Sequence, residues 1–285
     1  MSTLLTGHRV RRHPLITFVA LAYALTWALT IPFAYCFRVV FEQQFSPWLL
    51  LFFPAPFGPT FAALIMAGRM EGKAGVRRLL GRLKVWRVGL GPWLTALFLS
   101  PLVVAVAVLV SGAGPTVYSK FNLAGVAMVP VLWLLALPFG PLAEELGWRG
   151  WLLPRLQSLM SPLRASLVIG VVWTFWHLPM FWFPGAAIPS FLELSVGAVL
   201  VYLAQIVGEA ILFTALFNRT GGSVMLAIVF HTTFNTAEAS VFRLFESPTE
   251  TQEPGLYFWT VGLTWLAAAV SLVLPRKRPV TEPLP

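Results

Sequence analysis

The sequence predicts an all-α protein: a polytopic bundle of about eight transmembrane helices around an intramembrane polar cavity open to the cytoplasmic side. Three observations carry that prediction. Of 285 residues, 58% are hydrophobic and only 11% are charged, whereas a soluble domain carries about a quarter charged residues. The apolar residues fall in runs of about 20, the length a helix needs to cross the hydrocarbon core. Lys and Arg lie in short segments between those runs, and a few polar side chains sit inside them.

The runs lie near 15–37, 46–68, 92–111, 125–146, 164–183, 191–217, 222–241 and 256–274. The N-terminal stretch HRVRRHPLITFVALAYALTWALTIPFAYCF has a basic start like a secretory leader. Its apolar run is too long for one and lacks a small-x-small cleavage site, so it reads as a retained first span. The segment 68–91 differs. Arg77, Arg78, Arg82 and Lys84 interleave there with Val76, Leu79, Leu80 and Leu83, the pattern of a basic amphipathic helix lying on an anionic membrane surface.

Orientation follows from the Lys/Arg asymmetry. With both termini cytoplasmic, the inner side holds Arg9, Arg11, Arg12, the cluster 69–87, Arg149, Arg155, Arg164, Arg219, Arg276, Lys277 and Arg278, while the outer side holds only Arg38, Lys120 and Arg243. The loop ESPTETQEPG, 246–255, is acidic and falls outside. The net charge of +9 is therefore topological and does not point to nucleic acid. The single cysteine, Cys36, excludes an intramolecular disulfide framework. The expected place is an integral, multi-pass membrane protein, in the plasma membrane of a prokaryote. The bilayer is its solvent, and the sequence leaves its oligomeric state open.

An ionisable residue at membrane depth is a functional candidate by default. All 11 acidic residues are glutamates. Glu193 belongs near the outer interface, whereas Glu209 and Glu238 lie deeper in their runs. The stretch AEELGWRGWLLPRL, 143–156, is more specific. Glu145 and Arg149 are four apart and share one helix face, so they can pair and lower the cost of burying both. Glu144 points about 100° away around the helix, free for chemistry. The only two histidines in apolar sequence are His177, in VVWTFWHLPMFWF just ahead of Pro179, and His231, four residues before Asn235 in MLAIVFHTTFNTAEAS. Each alone reads as packing or interhelical glue. Together, Glu144, His177, His231 and Asn235 come from three helices and would line one polar cavity. Pro138, Pro141, Pro179 and Pro184 lie beside it and can break helices to admit water.

In order, EELGWR at 144–149, WTFWH at 173–177 and HTTFN at 231–235 resemble the three motifs of the CPBP (Abi) family of intramembrane peptidases, which includes the CAAX prenyl endopeptidases. Trp173 stands where many members have phenylalanine. The resemblance covers roughly 125–241, a catalytic core between N-terminal spans with the basic segment (1–124) and a region holding the acidic loop, last span and tail (242–285). It implies hydrolysis of a peptide bond near the C-terminus of a membrane-associated, CAAX-type protein or peptide. Glu144 would be general base on a water that His177 helps to hold, His231 and Asn235 would donate to the oxyanion, and Glu145 and Arg149 would brace them. No cofactor is favoured. The alternative on the same residues is a zinc site ligated by Glu144, His177 and His231, for which no His-Glu-x-x-His signature is present. Two further alternatives are a transporter, against which no inverted repeat is found, and a non-catalytic scaffold.

Overall fold

The structure is a computed structural model that describes residues 13–36, 53–183, 188–189, 191–245, 247, 252–275 and 277–282. Arg9, Arg11, Arg12, Arg38, Arg276, Pro184, the 46–52 portion of the second expected span and half of the acidic loop 246–255 lie outside the described residues.

Every regular element among the described residues is helical. In chain order these are α1 (His13–Tyr35), α2 (Gly58–Gly81), α3 (Leu90–Val110), α4 (Leu123–Ala136), α5 (Pro141–Glu145), α6 (Leu153–Gln157), α7 (Pro162–Trp176), α8 (Val196–Arg219), α9 (Val224–Leu244) and α10 (Glu253–Val273), with short helical turns between some of them. Six segments are long and apolar enough to cross a membrane: Pro14–Tyr35, Leu90–Val110, Leu123–Gln157, Pro162–Trp182, Val196–Arg219 and Glu253–Val273. α2 and α9 stand outside this set. The first carries Arg69, Glu71, Lys73, Arg77 and Arg78, and the second carries His231, Asn235 and Glu238. The protein is an integral membrane helix bundle.

Packing follows from which helices are apolar all round and which are not. α4 has a strongly apolar sequence, and Leu134 and Leu135 are each more than 60% exposed, as expected for a lipid-facing helix. α9 lies inside the bundle, packed on α3 and α4, while α7 packs on α8 and α1 on α2. Beneath these contacts Trp148, Trp151, Trp173 and Trp176 are fully buried. Phe18 of α1 stacks on Trp151 with ring centroids 4.7 Å apart.

The basic segment is not a separate surface helix. It continues α2 past a kink at Gly72, whose φ of +62° only glycine adopts without strain. Leu79 turns inward, and Arg82 lies over the Phe217 ring at 5.6 Å. The chain's C-terminal segment crosses this end of the bundle. Val280 N–H donates to Asn218 Oδ1 at 3.0 Å, Gln157 Nε2 donates to the Val280 carbonyl at 2.9 Å, and Glu282 pairs with Arg78, Arg82 and Arg155. Glu71 pairs with Arg78 and Arg155 as well. Half of the basic side chains read as lipid anchors are thus used inside the protein.

Candidate active site

The chain breaks between α4 and α5, in the stretch Leu137-Pro138-Phe139-Gly140-Pro141. Proline cannot donate to a helix, and its ring disfavours helical backbone in the residue before it. That residue is Gly140, at φ +118° and ψ −75°. The turn restarts the chain as α5 and carries Glu144 and Glu145 to the bundle centre, where they are 3% and 0% exposed. A π-helical turn, Leu146–Leu152, follows directly. Such insertions recur at functional sites because they re-aim side chains that regular winding would misplace.

Glu144 is held by one oxygen. Its Oε2 accepts the indole N–H of Trp173 at 2.6 Å and that of Trp148 at 3.2 Å. Its Oε1 faces the open side of Gly140. A β-carbon placed on Gly140 would lie 3.2 Å from Glu144 Oε1, 3.5 Å from Asn235 Nδ2 and 4.0 Å from His231 Nε2. Three polar atoms from α5 and α9 therefore converge on a gap about the size of one heavy atom, kept open by the missing side chain.

Both histidines have a defined tautomer. His177 Nδ1 lies 2.8 Å from the Trp173 carbonyl, which can only accept, so Nδ1 carries the hydrogen and Nε2 presents its lone pair. His231 Nδ1 lies 2.8 Å from Glu145 Oε1 and donates by the same reasoning. Glu145 Oε1 also receives Arg149 NH1 at 2.8 Å, so the expected i,i+4 pair is present. The Arg149 guanidinium is sandwiched against Phe213 and Trp173, 3.9 and 4.4 Å from their ring centroids, which compensates part of its lost hydration.

These side chains line one wall of a cavity of about 730 Å³. The cavity touches Glu144, Trp173, His177, His231 and Asn235, then continues past Tyr202, Gln205, Glu209, Glu238 and Tyr257. Asn235 is exposed to it, while His177 and His231 are 5% and 4% exposed. The lining residues of α3, α8, α9 and α10 fall in the middle of those helices and in the halves remote from the Arg78–Arg82–Arg155 cluster. Cavity and the Arg78–Arg82–Arg155 cluster thus occupy opposite halves of the bundle. Lys and Arg report which loops stay inside, but a cavity forms where prolines interrupt helices, and those two places need not coincide.

Among the described residues no three His, Cys, Asp or Glu side chains are grouped so that they could hold a metal ion, and Glu144 Oε2 is already occupied by two indoles. Sequence reasoning named Glu144, Glu145, Arg149, His177, His231 and Asn235, and the structure gathers all six into one neighbourhood. It missed Gly140 and Trp148, and it read Trp173 as a ring where the indole nitrogen makes a hydrogen bond. The available signals were a glycine wedged before a helix-starting proline and a tryptophan four residues after Glu144.

Comparison with known proteins bears on the three motifs. The sequence profile of the family "Type II CAAX prenyl endopeptidase Rce1-like" matches residues 126–237, a stretch that holds all three motifs. "CAAX prenyl protease 2" of Methanococcus maripaludis is 26% identical over 220 residues, covering 75% of this chain and 79% of that protein. The resemblance carried by EELGWR, WTFWH and HTTFN is borne out: over the stretch that holds all three motifs, the chain is similar to the type II CAAX prenyl endopeptidases.

Proposed function

We propose that the protein is an intramembrane endopeptidase that hydrolyses a peptide bond near the C-terminus of a membrane-associated protein of the CAAX type. The observation that carries this reading is the convergence of Glu144 Oε1, Asn235 Nδ2 and His231 Nε2 on the open face of Gly140 at the cavity wall. Glu144 Oε1 is the general base. It takes a proton from a water that also donates to the free lone pair of His177 Nε2, and the resulting hydroxide attacks the scissile carbonyl. Asn235 Nδ2–H donates to the oxyanion. His231 can join it only as an imidazolium, because its Nδ1–H is already committed to Glu145. The Glu145 carboxylate balances that charge and fixes the ring. The proton held by Glu144 then passes to the leaving amine.

On this reading no metal takes part. Hydrolysis that persists in the presence of a strong zinc chelator supports it, and loss of activity restored by added zinc overturns it. The hydrolase reading itself is tested by mass spectrometry of membrane-protein termini in cells carrying the wild type or Glu144→Gln at equal expression. New C-termini that appear with the wild type alone support it and name the substrates. Identical termini in the two strains overturn it.

A further inference from the structure

Among the described residues, the cavity that contains the proposed catalytic residues is lined by four glutamates, Glu144, Glu209, Glu238 and Glu253, and by no lysine or arginine. That is unexpected in a chain with 20 Lys and Arg residues against 11 acids. Glu144 is occupied by indole donors. The other three come from α8, α9 and α10 and form a wall of the same cavity. Glu209 on α8 is 2% exposed, and its recorded hydrogen bond is from Gln205 Nε2 at 2.7 Å. Glu238 on α9 faces open space in the cavity. The charges of Glu209 and Glu238 both bear on Tyr257, and that of Glu253 bears on Glu238. Among the described residues, no Lys, Arg or His is in ion-pair contact with Glu209, Glu238 or Glu253.

A carboxylate without an ion-pair contact costs free energy at membrane depth, and Glu209 lies within α8, where the charge of Arg149 bears on it without contact, Glu238 lies within α9, and Glu253 stands in the first turn of α10, so a bundle that keeps them together gains something by it. Two neighbouring groups are also unsatisfied. Gln205 and Tyr257 are 96% and 93% buried by their exposures of 4% and 7% and line the same cavity, yet Gln205 Oε1 and the Tyr257 hydroxyl have no hydrogen-bond partner. Buried polar atoms without partners are rare and mark places where a ligand or water completes the set. Phe53, Phe139, Phe191 and Phe234 complete the wall with ring surfaces, which accept a cation or a hydrocarbon chain and do nothing for an anion.

We propose that the Glu209–Glu238–Glu253 wall, with Gln205 and Tyr257, is a subsite for a cationic side chain of the peptide being cleaved, a lysine or arginine close to the scissile bond. This deepens the hydrolase reading and rests on it for the word substrate. It also implies that a free C-terminal carboxylate is repelled from this wall, so the peptide's C-terminal end does not lodge there.

The test uses the full-length protein in nanodiscs of zwitterionic lipid, with empty nanodiscs subtracted. The probes are farnesylated CAAX-tail peptides that differ only by lysine or norleucine, placed in turn at each position around the prenylated cysteine. Binding and cleavage are read on the same samples. The inference expects at least one position where lysine tightens binding about tenfold, the size of one charge-assisted contact in a low-dielectric site. Glu238→Gln, whose side chain is open to the cavity, and Glu209→Gln should each bring that ratio toward one, with Glu238→Gln guarding against a misfolded Glu209 variant. Equal binding of lysine and norleucine peptides at every position overturns the subsite, as does a lysine preference that survives both variants. A lysine preference without any turnover overturns the hydrolase reading and leaves the subsite standing. Turnover without the preference does the reverse.

Discussion

Glu145 Oε1 receives two donors at the same distance, 2.8 Å from Arg149 NH1 and 2.8 Å from His231 Nδ1. One carboxylate oxygen therefore ties the helix after the proline break to α9, and it does so at 0% exposure. Breaking a buried pair by removing one partner costs about 3–5 kcal/mol, because the other charge is left unpaired. Arg149→Ala should lower the thermal midpoint strongly in detergent. Arg149→Ala combined with Glu145→Ala should recover part of that loss, since neither member of the pair is then left buried without the other. Recovery of stability without recovery of hydrolysis is the expected pattern, because His231 loses its counter-charge. Equal midpoints for the single and double variants would show that the pair is energetically idle.

Trp173 and Glu144 give a cleaner test, because phenylalanine stands at this position in many members of the resembled family. Trp173→Phe keeps a ring and removes the N–H that donates to Glu144 Oε2 at 2.6 Å. Trp148 still donates to the same oxygen from 3.2 Å, so the carboxylate is loosened but not freed. A hydrogen bond to a charged group contributes about 1.5–3 kcal/mol, which corresponds to a fall of about tenfold or more in kcat with KM little changed. A fall confined to KM would mean that the indole shapes the cavity and does not aim the carboxylate.

The sequence made the bundle legible because membrane helices announce themselves by length and apolarity, and three motifs on late spans announced the six polar residues. What it hid has identifiable causes. The basic segment looked like a surface helix because spacing shows which side chains share a face but not that Glu282, some 200 residues away, supplies a partner for Arg78 and Arg82. Helical periodicity around Glu144 and Arg149 was read as regular α-helix, and the pair still forms, although the turn carrying Arg149 is π-wound. The lining of the cavity was not legible because charge bias between loops carries no information on where proline breaks open space. Trp148 and Gly140 were overlooked because an aromatic and a glycine in apolar sequence are ordinary, and only the contacts give them a role.

Gly140→Ala should abolish hydrolysis while leaving insertion and most of the fold intact. The new methyl carbon would lie 3.2 Å from Glu144 Oε1 and 3.5 Å from Asn235 Nδ2, in the space where the attacking water belongs. The backbone at φ +118° would also be strained by about 1–3 kcal/mol in a non-glycine residue. The two effects separate by measurement. The thermal midpoint reports the strain, and turnover per folded molecule reports the blocked gap. Full turnover in a correctly folded Gly140→Ala protein would remove the convergence point from the mechanism.

The tail contact at Glu282 predicts a pH dependence that the active site does not share. Burial pushes this carboxyl up, but the hydrogen bond from Arg78 and the charges of Arg155, Arg82 and Arg78 outweigh it, and its pKa is held below the ordinary 4.5. A carboxyl with a depressed folded-state pKa contributes stability that is fully present above its unfolded value and is lost as pH falls through the folded value. The tail should therefore stay docked at neutral pH and detach only below about pH 4.5, the ordinary carboxyl value. Hydrogen exchange at Val280 and Glu282, whose N–H groups bond to Asn218 Oδ1 and the Pro154 carbonyl, reads this directly. Protection in the wild type should fall in acid, and Glu282→Gln should already show the reduced protection at neutral pH. The gap between the two proteins should be constant above pH 5 or so and close in acid. A gap that instead widens as pH falls would mean that the ion pairs to Arg78, Arg82 and Arg155 do not hold the tail.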